Sequence, residues 1–329
     1  MKRLYTLLLF LTTATALMAY EPTRMSSKRD SDGNLSLEVE KYYPGMQTAY
    51  ITFQNLNNAT YTNRKPEIVL SSGTLLTIEP LNPNNPISYD TFYYRVYGGA
   101  VDYKADTTVI YRLPYKDGKE ARALALHDVT NHLFEQQGQL KHLNYAAYGF
   151  VVERGDTIYA TRRGVVVSKT TRTNTSTLAK EGNLSFSSKR PMVSIEHADG
   201  TTGTYSPFIA ESIFVEEGDH VECGDPIGVV GTFDNRSFQM RFWLTRYVSN
   251  PLFKGDNNSK VPYALREYIT PTFLTSEGET KIEARKSYTA KMESYLTIQE
   301  MTKREVNKWA KLNKVSKKQL SALLSKLNK

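Results

Sequence analysis

A single cysteine, Cys223, in 329 residues leaves no internal disulfide, so the fold must stand on packing alone. It sits in an alternating apolar run and reads as a small core hydrophobe. Histidine is nearly as scarce. His127, His132, His142, His197 and His220 are the whole supply, which leaves imidazole-based metal or acid–base chemistry few places to be. With 19 Gly and 13 Pro, collagen-like and low-complexity chains are excluded. Beyond the apolar run at the start of the chain, no stretch approaches the roughly 18 consecutive apolar residues of a membrane-spanning helix. Net positive charge is also missing from most of the chain. The net charge is +8, yet nine basic and two acidic residues fall within 297–329, and Lys2 and Arg3 lie at the start. The remainder is near neutral and offers no broad footprint for nucleic acid, which needs clustered cations on a folded surface.

What is present begins with a leader. Met1, Lys2 and Arg3 precede an apolar run over 4–11 and small residues up to Ala19, the pattern of an export signal peptide at 1–19. No cysteine follows to carry a lipid anchor, so the chain is expected in the periplasm or at the surface of a bacterium. Residues 20–118 carry short runs of period two, among them Leu35, Leu37 and Val39; Ala49, Ile51 and Phe53; and Val109, Ile110 and Tyr111. Such runs, rich in β-branched and aromatic residues, predict an all-β sandwich. Residues 119–143, richer in Ala, Leu and Gln, read as a connector with some helix. From 144 to 275 strands resume with an internal echo. Arg154-Gly155-Asp156 before a Val-rich run at 164–167 is mirrored by Glu217-Gly218-Asp219 before another at 227–231. Two such units predict a compact β-roll or barrel-sandwich core, and neither hairpin offers the lysine that a lipoyl or biotinyl carrier needs. Residues 276–296 read as a linker. Residues 297–329 read as a basic tail of two short helices with capping boxes at Thr297 with Glu300 and Ser316 with Gln319.

The run Val193-Ser194-Ile195-Glu196-His197-Ala198-Asp199-Gly200, then Tyr205-Ser206-Pro207-Phe208, then residues 215–231, resembles the second half of lysostaphin-type (LytM-type) zinc endopeptidases. Upstream, Tyr111-Arg112-Leu113-Pro114-Tyr115, Asp117-Gly118 and the run 145–167 resemble secreted members of that family with an N-terminal Ig-like domain. The resemblance implies a mainly β chain with an Ig-like sandwich, a LytM-type β-roll peptidase-like domain and a short C-terminal helical tail. It also implies a family chemistry. One zinc is held by a His-x-x-x-Asp pair and the last His of a His-x-His strand, while the first His of that strand and the His of a Tyr-x-His-Leu motif assist in cutting wall peptides. Neutral imidazole and carboxylate suit this task because they hold zinc with a position open for water.

Aligned on Phe150 and Gly155, those five positions fall on Tyr145, Gly149, Pro207, Gln239 and Arg241, and none keeps the family residue. Glycine has no side chain to ligate, proline has no polar side-chain group, and arginine is a fixed cation without a lone pair. The resemblance thus implies a pseudoenzyme with no catalytic residues and no cofactor expected. Gln239 and Arg241 are two apart and share one face of a strand. With Tyr205 and Trp243 they are expected to line a ligand groove in which Arg241 holds a carboxylate. His127, His132 and His142 are the candidate ligands if zinc is bound at a rearranged site. His197 reads as a turn or groove residue and His220 as surface. Three functions stay open: a non-catalytic envelope protein that binds peptidoglycan or regulates a wall hydrolase or envelope complex; an active zinc metalloendopeptidase cutting peptidoglycan cross-links; and a purely structural envelope protein. In each, the basic tail is a candidate contact for an anionic envelope polymer.

Overall fold

The computed structural model describes residues 23–126, 145–172, 174–180, 183–232, 237–253 and 263–327. The leader expected at 1–19 and the candidate ligands His127, His132 and His142 lie outside the described residues. The chain is mainly β, with short helices near its C-terminus.

The first six strands are β1 (Arg24–Arg29), β2 (Leu35–Glu40), β3 (Gln47–Gln54), β4 (Pro66–Val69), β5 (Gly73–Ile78) and β6 (Thr91–Gly98). They form two antiparallel three-stranded sheets, ordered β1-β2-β5 and β4-β3-β6. Alternation decides which side chains meet. Leu35, Leu37 and Val39 from one sheet and Ala49, Ile51 and Phe53 from the other are buried in one shared core.

The second body holds β7 (Ile110–Arg112), β8 (Glu120–Ala125), β9 (Tyr148–Val151), β10 (Thr157–Tyr159), β11 (Gly164–Thr170), β12 (Asn174–Lys180), β13 (Asn183–Lys189) and β14 (Met192–Glu196). It continues with β15 (Thr202–Ser206), β16 (Phe208–Ile213), β17 (His220–Val221), β18 (Pro226–Val230), β19 (Gln239–Ser249), β20 (Ala264–Ile269), β21 (Thr272–Thr275), β22 (Gly278–Thr280) and β23 (Ser287–Thr289). One large sheet runs β17-β11-β14-β15-β19-β9-β8-β23, with β20 also paired to β19, and a small sheet runs β10-β18-β16. Between them lies a core that includes Ile158, Phe208, Ile227 and Val230 against Val193, Ile195, Tyr205, Met240 and Phe242. The internal echo has a structural meaning: the two units interlock. β10 of the first unit pairs with β18 of the second, and β11 of the first pairs with β17 of the second. Each unit turns at a glycine of positive φ, Gly155 (87°) and Gly218 (96°), where a Cβ would be strained. The next residue, Asp156 or Asp219, closes the turn by accepting the N–H of the residue three before it, Glu153 or Glu216.

Four expectations need correction. Residues 109–115 belong to the second body, not the sandwich: Val109, Tyr111, Leu113 and Tyr115 are buried in its core, because β7 pairs in parallel with β21. Glu120–Ala125 is a strand rather than a helical connector, since pairing with β9 and β23 overrides an Ala- and Leu-rich composition. The 276–296 span holds β22 and β23 rather than an open linker. The tail has three helices, α1 (Ser294–Ile298), α2 (Lys303–Leu312) and α3 (Lys317–Leu327). Its first capping box is Thr302 with Glu305, one turn beyond the expected Thr297 with Glu300. The second, Ser316 with Gln319, stands where expected.

The two bodies meet through aromatic rings. Tyr97 stacks on Tyr263 with centroids 4.1 Å apart, and Phe253 stands edge-on to Tyr50 at 5.2 Å. Nearby the Met46 N–H donates to Glu196 Oε1 at 2.5 Å.

Candidate functional site

Three neighbouring strands of the large sheet, β9, β19 and β15, carry the positions on which the family's chemistry would depend. Along β19, Met240, Phe242 and Leu244 point into the core, so Gln239, Arg241 and Trp243 share the opposite face. Register places Arg241 directly opposite Gly149 on one side and Ser206 on the other, with Pro207 next in line. Directly opposed residues of an antiparallel pair have Cβ atoms about 5 Å apart, a separation over which two ligands can share one metal ion. The fold therefore brings together Gly149, Arg241 and Pro207, the residues on which the resemblance places the family's Asp, its last His and its assisting His. Gln239 lies two residues along, opposite Val151. Tyr145 precedes β9, with its ring tilted against Tyr268 at 4.7 Å.

What stands at those positions does not fit zinc. A Cβ on Gly149 would lie 2.9 Å from Leu126 Cδ1 and 3.1 Å from Leu124 Cβ, so two leucines already press on the place of a ligating carboxylate. Pro207 contributes only its carbonyl, which accepts the Gly231 N–H at 2.8 Å. Arg241 brings a cation to the spot where a zinc-bound imidazole would be needed. Among the described residues, no group of three or more His, Cys, Asp or Glu is placed to hold a metal ion.

Tyr205 does not line a groove. It faces inward opposite Phe242 and is fully buried, with its hydroxyl bound to the Thr161 N–H at 2.8 Å and to Thr161 Oγ1 at 2.7 Å. Burial raises its pKa well above the usual tyrosine range. Gln239, Arg241 and Trp243 remain half-buried on the outer face, with Trp243 opposite Thr204. His220 is exposed, as expected. His197 is a turn residue, only 1% exposed, and it lines the inner wall of a pocket together with Arg163, Glu196 and His220. Its N–H and C=O bracket residues 197–201, and its Nδ1 donates to the Arg163 carbonyl at 2.7 Å, which leaves Nε2 without the proton. Burial first, and then the nearby Arg162 charge, pull its pKa far down and keep it neutral.

Arg162 is the feature that sequence reasoning missed. It is 1% exposed, and its guanidinium grips Glu300 with two hydrogen bonds of 2.9 and 2.6 Å. It also donates to Tyr111 Oη at 2.8 Å and to Asp199 Oδ2 at 3.0 Å. Burial alone would lower its pKa, yet Glu300, Tyr111 and Asp199 hold it above the usual arginine range. Its neighbour Arg163 donates to the Glu300 carbonyl and pairs with Glu305 at 3.1 Å. These bonds tie the helical tail to the first hairpin. The pairing joins residues 138 apart, and nothing local in the sequence marks it.

Residues 145–249 match the sequence profile of Peptidase family M23. That segment is an M23 domain. The match spans the strands just described, from the segment before β9 to the end of β19. No curated protein matches the chain. Among solved structures, the M23 metalloprotease pseudoalterin from the deep sea is 14% identical with a TM-score of 0.28, covering 56% of this chain and 97% of its own. Csd3 of Helicobacter pylori is 12% identical at a TM-score of 0.27, covering 68% of this chain and 70% of its own. A zinc-containing peptidase from Vibrio cholerae is 13% identical at 0.24, covering 68% and 74%. Whole-chain likeness at these scores carries no weight, so the M23 assignment stands on the sequence match. The family is normally zinc-dependent.

Proposed function

We propose that this chain is an exported bacterial envelope protein whose M23 domain no longer cuts peptide bonds and serves as a binding module. On this reading the M23 face engages peptidoglycan or a wall hydrolase, with the signal peptide at 1–19 directing export and the N-terminal sandwich serving as an Ig-like spacer. The observation that carries the proposal is the register of Arg241 against Gly149. Two positions that must both donate lone pairs to one metal instead hold a fixed cation and no side chain, with leucines packed on the glycine. A sheet face presenting Gln239, Arg241 and Trp243 keeps the chemistry of recognition. The guanidinium suits a stem-peptide carboxylate, the amide a peptide group and the indole a sugar or peptide face.

The test is binding of the purified chain to isolated wall fragments, read by sedimentation. The wild type is expected to bind without releasing new amino groups. Arg241→Glu is expected to weaken binding at least tenfold with an unchanged circular dichroism spectrum, consistent with loss of a charge-assisted pair of about 1.5–3 kcal/mol. Unchanged binding by that variant would remove the M23 face from the proposal, and chelator-sensitive cleavage would replace it with the active zinc endopeptidase reading.

A further inference from the structure

The helical tail is fastened on one side and unmatched on the other. Val306 and Ala310 of α2 are buried, and Leu323 and Leu327 of α3 pack on the cluster of Cys223, Leu274, Tyr295 and Leu296. Arg162 and Arg163 hold Glu300 and Glu305 from the body. At 3.6 residues per turn, Arg304, Lys308 and Lys311 fall within the arc of α2 opposite Val306 and Ala310, Lys303 stands at the edge of the buried face in the first turn, and all four are exposed. Lys317 and Lys318 open α3 a short turn later and are exposed too. Among the described residues, none of these six cations lies within ion-pair distance of a carboxylate, whereas Lys326 is paired with Glu293. Apolar side chains accompany them. Leu312, at the end of α2, is 73% exposed, and Leu324, beside Lys317 and Leu320 on one open face of α3, is 38% exposed.

We infer that α2 and α3 form a docking surface for an anionic lipid bilayer. Charge complementarity selects an anionic partner, since six unpaired cations on one short helical pair attract a negative surface at roughly 1 kcal/mol each. The exposed leucines select a bilayer over a soluble polyanion, because a polymer of charges offers them nothing while the headgroup–acyl boundary buries apolar side chains next to lysines. The anchoring through Arg162 and Arg163 would carry a membrane attachment rigidly to the M23 domain. The inference does not depend on the function proposed for the outer face of that domain.

The experiment mixes the full chain with vesicles of phosphatidylcholine alone or with phosphatidylglycerol added, and follows co-sedimentation. Binding is expected only to the phosphatidylglycerol vesicles, to fall steeply as salt is raised, and to weaken on the order of a hundredfold or more when Lys308, Lys311, Lys317 and Lys318 are all changed to Glu. The double variant L312N/L324N is expected to bind at least several-fold more weakly with an unchanged melting temperature. Absence of binding to anionic vesicles would overturn the inference, as would a quadruple Glu variant that binds like the parent. If the leucine variant binds vesicles as tightly as the parent while polyglutamate competes fully, the surface takes a soluble polyanion and the bilayer assignment fails.

Discussion

Arg162 is the residue whose environment departs furthest from what its type prefers. A buried guanidinium is tolerable only while its partners stay in place, since desolvating an unpaired charge costs several kcal/mol. Glu300→Ala removes two of its hydrogen bonds at once and is expected to destabilise the chain by about 3–5 kcal/mol in urea unfolding. Glu196 makes a different demand. Burial raises its pKa to about 7, while the Met46 N–H and Lys41 pull the other way. The folded chain therefore holds this proton more tightly than the unfolded chain. The stability so gained is complete below the ordinary value of 4.5 and drains away as pH rises through 7, on the order of 3 kcal/mol in all. Glu196→Gln keeps an acceptor for the Met46 N–H and is expected to flatten that slope, raising the urea midpoint above neutral pH and leaving it nearly unchanged in mild acid. His197 works in the opposite direction, since a neutral buried imidazole gives stability that is lost as pH falls below its ordinary 6.5. Neither environment could be read from the sequence, because each depends on partners brought in by the tertiary fold.

At the scale of elements, period-two patterning located most of the strands, since alternation at Leu35-Leu37-Val39 or along Gln239–Ser249 follows from one buried face. It failed where pairing across long separations overrode local preference, as at Glu120–Ala125, and where a strand's parity was undetermined. The five-residue strand holding Tyr205 does not announce which of its faces is inward, and the pairing of Tyr205 with Phe242 turns the ring into the core rather than toward a groove. Two residues that the family resemblance singles out by spacing, Gly149 and Arg241, lie directly opposite one another across β9 and β19. The tail offers a direct check on capping. Thr302→Ala removes the side-chain acceptor of the Glu305 N–H and is expected to cost about 1 kcal/mol, whereas Thr297→Ala, inside α1 and outside any capping box, should cost a few tenths. Equal effects would contradict the observed cap. Gly149→Ala is expected to cost roughly 1–3 kcal/mol by forcing Leu124 and Leu126 aside, measured as a fall in unfolding midpoint.

Across the whole molecule, a two-sheet sandwich, an M23 domain and a helical tail are fastened to one another by few but specific contacts: stacked Tyr97 and Tyr263, the Glu196 acceptor at Met46, and the Arg162–Glu300 pair. Residues 109–115, which period-two patterning groups with the sandwich, fill the core of the second body, so the boundary between the two lies earlier than patterning and turn signals suggest. The proposal that this assembly recognises rather than cleaves rests on side chains unable to hold zinc at the positions where M23 chemistry needs it. The most direct test is the zinc content of the purified full chain after dialysis against trace zinc, by plasma mass spectrometry. The account predicts far less than one zinc per chain. Zinc near one per chain, removed by chelator together with cleavage of wall peptides, would contradict it.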